Sequence, residues 1–66
     1  MTCRVLKQYE TVPYTVLMLD VPQRLSGGGR MSIDGVGYEW SSLPDLPHSA
    51  AILGLGSFVG KEIVLA

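Results

Sequence analysis

Two adjacent residues, Asp34 and Gly35, constrain this chain more than any others. They lie between Arg30–Ile33 and Val36–Trp40, two runs in which apolar and polar residues alternate. A two-residue type I′ turn needs positive φ at both central positions, and Asp followed by Gly tolerates this best. Asp-Gly in this setting therefore predicts a β-hairpin. The turn also sets the register. Ile33 faces Val36, Ser32 faces Gly37, Met31 faces Tyr38 and Arg30 faces Glu39. Met31, Ile33, Val36, Tyr38 and Trp40 then share one side of the sheet, and Ser32, Gly37, Arg30 and Glu39 share the other. A one-residue slip would send every apolar side chain to the wrong face, so turn chemistry and alternation specify the same pairing. Arg30 opposite Glu39 is a cross-strand ion pair worth about 0.2–1 kcal/mol, and it needs no catalytic explanation.

The rest of the chain reads as further strands punctuated by Gly and Pro. Thr2–Glu10 forms a first strand whose alternation breaks at Leu6-Lys7. Pro13 cannot donate to a ladder, so it marks a strand start, an edge or a bulge. Tyr14–Asp20 is the strongest strand, and it is apolar on both faces. Such a strand is either central and covered on both sides or part of an interface between molecules. Val21–Gly29 reads as a loop, with Gly27-Gly28-Gly29 as its tip. Ser41–Ser49 reads as a second loop stiffened by Pro44 and Pro47, with Leu43 and Leu46 plugging one end of the core. Ala50–Leu55 is open between a strand and a short helix capped by Ser49. The strand is preferred, because Ile52 stands where a capping box wants Glu or Gln. Phe58-Val59-Gly60 turns the chain into a last strand, Lys61–Leu65, with Ile63 and Leu65 on one side.

This amounts to about six strands in 66 residues, the spacing of a small β-barrel or sandwich in one domain over residues 1–66. The expected fold class is all-β, a small five- to six-stranded barrel of SH3-like or translation-type form. Closure would also remove the exposed edges that are hazardous in a chain that is 47% hydrophobic and 17% charged. A domain this short buries roughly 60% of its unfolded surface and is marginally stable alone. Its one cysteine, Cys3, excludes an internal disulfide, and its one histidine, His48, excludes the common zinc sites. Homo-oligomerisation, a homodimer in the simplest case, is one way to cover the surplus apolar surface.

Several function classes fall away on residue chemistry. Net charge is −1, and the five basic residues, Arg4, Lys7, Arg24, Arg30 and Lys61, are scattered among acids. Binding to a phosphate backbone calls for a basic patch, so nucleic acid is a disfavoured partner. The tail Ile52–Lys61 imitates a dinucleotide fingerprint, but its third glycine comes one residue late and no room remains for the strand bearing the ribose-binding acid. It fails as a P-loop as well, because Leu55 stands where the first glycine belongs and Glu62 replaces the hydroxyl residue. Backbone amides of Gly27-Gly28-Gly29 could cradle an anion, although a loop tip is the plainer role. Asp45, His48, Ser41, Ser42 and Ser49 supply the residue types of a hydrolase without its ordered base, orienter and nucleophile. Arg4 beside Cys3 would lower the thiol pKa, yet a cysteine near a strand start is more commonly a small buried hydrophobe. No catalytic, metal or cofactor residue is therefore assigned. A secretory leader is not expected, because the N-terminus lacks a long apolar core and a small-residue cleavage site, and a membrane span is not expected, because the longest weakly polar run, 49–60, is too short to cross a bilayer. A cytoplasmic location follows from the unpaired cysteine.

The run Gly29–Tyr38, followed by Phe58-Val59-Gly60-Lys61-Glu62-Ile63, resembles the strand pattern of small translation-type β-barrels such as the second domain of translational GTPases. The likeness covers about half the chain. It departs from that family at Thr15–Leu19, where further glycines are usual. It implies a barrel, and no binding residue of the family transfers to a position here.

The expected function is non-enzymatic: an interaction or regulatory module that binds a larger protein, of a size that suits a phage or mobile-element inhibitor. Its partner-binding residues are expected at the ends of the hairpin. Trp40 comes first, as a partly exposed anchor, and Arg30, Arg24 and Tyr38 accompany it. Two alternatives stand beside this reading. One is an oligonucleotide-binding barrel that stacks bases on Tyr38 and Trp40 with Arg24, Arg30 and Lys61 nearby. The other is a small-molecule or nucleotide site at the glycine loops.

Overall fold

The computed structural model describes residues 1–65. They form six strands: β1 (Thr2–Thr11), β2 (Tyr14–Leu19), β3 (Gly28–Ile33), β4 (Val36–Leu43), β5 (Leu46–Leu53) and β6 (Glu62–Leu65). All pairings are antiparallel, and the sheet closes on itself in the order β1-β2-β5-β4-β3-β6, with β6 returning to β1. Tight hairpins join β1 to β2, β3 to β4 and β4 to β5. Because β2 lies beside β5 rather than β3, strands β2–β5 make a Greek key. The all-β class and the closed barrel agree with the sequence.

The β3–β4 hairpin has the register set by its turn, with Arg30 opposite Glu39, Met31 opposite Tyr38, Ser32 opposite Gly37 and Ile33 opposite Val36. Asp34 and Gly35 take φ values of 53° and 80°, the positive pair that a type I′ turn demands. The carboxylate of Asp34 also receives Lys61 Nζ, which ties the hairpin tip to the residue before β6. In β1 the broken alternation at Leu6-Lys7 is a β-bulge. Val5 pairs with Leu19 and Lys7 with Met18, so Leu6 is the extra residue. The bulge returns Gln8 to the inner side, opposite Leu17. The Val12-Pro13 turn between β1 and β2 contains a cis peptide bond.

Ser41–Ser49 departs from expectation, for it is not a loop. Ser41–Leu43 continue β4, Leu46–Ser49 open β5, and Pro44-Asp45 form the tip of a tight hairpin. Both prolines are accommodated where no ladder N–H is required. Pro44 sits in the turn. Pro47 sits where the register shifts between Ser42 opposite Ala50 and Leu43 opposite Leu46. Leu46 is exposed, so it does not plug the core. Gly27-Gly28-Gly29 is likewise shorter as a loop than expected, because Gly28 and Gly29 already belong to β3. A Cβ at Gly28 would stand 2.6 Å from the Trp40 carbonyl oxygen, so that close crossing admits only glycine.

The strand preferred for Ala50–Leu55 is present over Ala50–Leu53 and ends before Gly54, which takes a positive φ of 115°. The interior is filled from every strand: Cys3 and Val5, Leu17 and Leu19, Met31 and Ile33, Trp40, Ala50 and Ile52, Ile63 and Leu65. Two loops cap the barrel. Residues 20–27 close one end with Val21 and Leu25, held by bonds from Leu25 N to Pro47 O and from Ser42 N to Gly27 O. Residues 54–61 close the other with Phe58. Here one side chain does the fastening: Gln8 Nε2 donates to Gly56 O, and Phe58 N donates to Gln8 Oε1, each at 2.6 Å. A strand would satisfy these loop groups with its own backbone, and Gln8 does so with its amide.

Candidate functional site on the outer barrel face

A closed barrel turns alternate residues outward. On β2 the outward residues are Tyr14, Val16 and Met18, because Thr15 and Leu17 are wholly buried inside. On β5 they are Ala51 and Leu53, flanking buried Ile52, and on β4 they are Glu39 and Ser41, flanking Trp40. Register brings these together. Tyr14 lies opposite Leu53, Val16 opposite Ala51, and Ala51 opposite Ser41. Tyr9 of β1 continues the row beside Val16. Val16 is buried without belonging to the core cluster. It is covered from outside by its cross-strand neighbours.

The small residues Ala51 and Ser41 leave a trough between larger ones. The result is an open groove of about 530 Å³ lined by Tyr14, Gly29, Arg30, Glu39, Trp40, Ser41, Ala51 and Leu53. Tyr14 (46% exposed) and Leu53 (64% exposed) form its apolar wall. Arg30 and Glu39 form its polar wall, 3.6 Å apart and both largely solvent-exposed, so this ion pair is a weak one with donor and acceptor capacity to spare.

Of the four residues expected to bind a partner, the structure brings two together. Arg30 and Trp40 both border the groove. Trp40 is not the partly exposed anchor expected from its place at the hairpin end. It is 9% exposed and packs in the core, on the inward row of β4 opposite Gly29. Its Nε1–H meets no acceptor among the described residues. Tyr38 is half-buried against the core and meets the Phe58 ring edge-to-face, with centroids 5.9 Å apart. Arg24 is exposed on the 20–27 loop and does not line the groove. Tyr14, Leu53, Ala51 and Ser41 were not foreseen as site residues. The apolar character of the Tyr14–Asp20 strand on both faces was the one signal in the sequence, and it marks Tyr14 alone of the four.

The remaining candidates have structural partners. His48 Nδ1 donates to Gln23 O at 3.1 Å and fixes the 20–27 loop, while Ser49 is buried. The Cys3 thiol is buried, and its pKa is raised rather than lowered, by desolvation first and then by the Asp20 carboxylate. Arg4 instead donates its side chain to Gly60 O and its backbone N–H to Asp20. In the glycine tail, the N–H groups of Gly54, Phe58, Gly60 and Lys61 donate to Pro13 O, Gln8 Oε1, Val5 O and Phe58 O. These donors face the protein rather than solvent. Among the described residues there is no cluster of three or more His, Cys, Asp or Glu side chains fit to hold a metal ion, and no helix long and apolar enough to cross a membrane. Comparison of the chain with family models, with curated proteins and with solved structures gave no match.

Proposed function

We propose that the chain is a non-enzymatic interaction module that binds a larger protein through the outer face of β2, β5 and β4. The observation that carries this reading is the Tyr14–Leu53 pair. Two large side chains lie directly opposite each other, 46% and 64% exposed, beside a groove floored by small residues and rimmed by an ion pair. An apolar centre with a polar rim is the anatomy of a protein-binding patch. Tyr14 is also the residue type most used as an anchor, since it presents a rigid amphipathic ring.

The alternatives draw less support. Base stacking on Tyr38 and Trp40 would need both rings at the surface, whereas Trp40 lies in the core, and Lys61 is engaged with Asp34. An anion site in the glycine tail would need the amides that are bonded inward. A closed barrel is common ground with SH3-like and translation-type domains, and we carry over no role in translation.

Affinity capture tests the proposal. The immobilised chain should retain a protein from a cell lysate, Leu53→Glu should lose it, and Val64→Glu, on the outer face of β6, should keep it. Capture that survives Leu53→Glu unchanged would contradict the site.

A further inference from the structure

The apolar surface on this side of the barrel extends past the groove. Val12, at the tip of the β1–β2 hairpin, is 76% exposed, the highest value among the large apolar side chains of the described residues. Tyr9, on the outer row beside Val16, is 53% exposed, and Leu55, just beyond β5, is 52% exposed. Gly54 N donates to Pro13 O and Thr15 Oγ1 to Gly54 O, so the segment leading to Leu55 is bound against the hairpin tip. Tyr9, Val12, Tyr14, Leu53 and Leu55 therefore crowd one side of one end of the barrel. Taking roughly 150–250 Å² for a large side chain fully exposed, the five present on the order of 500 Å². That sits near the top of the range of about 300–600 Å² for the largest apolar patch of a monomer.

From this area and shape we infer that a second copy of the chain covers the patch, giving a two-fold homodimer. A standard interface buries about 800 Å² per partner. In homodimers about 65% of that is apolar. The product matches the apolar area this face offers, and the whole interface would be about a fifth of the chain's 4070 Å² surface. The shape also fits a two-fold axis, which requires one patch to be complementary to itself. Here a knob and a hollow lie side by side: the Val12 tip, and the groove walled by Tyr14 and Leu53. Each protomer's tip enters its partner's groove. The arrangement covers the surface assigned above to a larger protein, so dimerisation and partner binding compete for it.

Sedimentation equilibrium over a concentration series tests the dimer. Interfaces of this size range from micromolar to picomolar affinity. The chain should therefore sediment at twice its 7.1 kDa at concentrations well above about 1 µM. Val12→Asp, which leaves every groove-lining residue in place, should weaken association at least about tenfold by burying an unpaired carboxylate. Its far-ultraviolet circular dichroism should be unchanged. Val64→Asp, on the opposite side, should leave the dimer intact. A monomer throughout the series overturns the inference, as does a dimer that Val12→Asp leaves unweakened or that Val64→Asp breaks. The two proposals fail separately. A monomeric chain whose lysate capture is lost in Leu53→Glu refutes only the dimer, and a dimer that captures nothing refutes only the larger partner.

Discussion

The β3–β4 hairpin and the β2–β5 strand pair are built from similar material and spend it differently. In the hairpin, alternation is nearly complete. Met31, Ile33 and Trp40 face inward, and Arg30 and Glu39 face outward and pair with each other. Of its large apolar side chains only Val36, beside the turn, stays exposed. In β2 and β5 both faces are apolar. Leu17 and Ile52 are fully buried, while Tyr14 and Leu53, from the same two strands, remain exposed. Folding accounts for the first pair and not for the second. The hairpin sets the register of the barrel, and the apolar surplus outside β2 and β5 is where an interaction is to be sought.

Mutations can break this contrast, and the largest effects belong inside. Trp40→Ala removes the largest interior side chain and should cost about 3–5 kcal/mol. Trp40→Phe should cost much less than Trp40→Ala, because it keeps most of the packing and deletes a buried N–H that has no acceptor. Denaturant midpoints of the two variants check this. Comparable losses would mean that the indole N–H is in fact satisfied. On β5, Ile52→Ala should cost about 2–5 kcal/mol. Its neighbour Leu53→Ala should stay within about 0.5 kcal/mol, as is usual at the surface. A large cost at Leu53 would show that this residue serves the fold and not a partner.

A smaller loss is expected at the loop clamp. Gln8→Ala strips two hydrogen bonds from residues 56–58 and leaves the Phe58 N–H without its acceptor. The cost should be about 1–3 kcal/mol, with amide exchange accelerated in that loop first. Uniform acceleration across the barrel would argue that Gln8 supports the whole fold.

The mildest test concerns pH. Burial favours the neutral thiol of Cys3, so its folded pKa lies above the ordinary value of 9.0. Above pH 9.0 the unfolded chain loses this proton before the folded chain does. The stabilisation is therefore fully present below that pH and declines as pH rises through the folded value. Thermal unfolding of Cys3→Ala should show a shallower decline than the parent above pH 9.0, and identical slopes would rule the contribution out.

The hairpin was legible in the sequence because its information is local. Asp34-Gly35 fixes the turn, the turn fixes the register, and the alternation agrees. The bulge announced itself as the fault at Leu6-Lys7. Ser41–Ser49 misled because Pro44 and Pro47 both argue against a ladder. One falls in the turn and the other in the register shift, and only the paired strands reveal that. The burial of Trp40 follows from closure of the barrel, which carries the core to the end of the hairpin. The groove was illegible for a related reason, since it assembles Tyr14, Arg30, Ser41 and Leu53 from four strands. The only trace in any single strand was the doubly apolar Tyr14–Leu19, which named an interface as one of two explanations without locating it.

The central claim is that the outer face of β2, β5 and β4, and not β6, meets other molecules. Site-specific photocrosslinking tests it most directly, with a photoreactive residue in place of Leu53 in one variant and of Val64 in another. The account predicts a covalent adduct, to a partner protein or to a second copy of the chain, from position 53 and none from position 64. Adducts from position 64 alone, or from neither position, would contradict it.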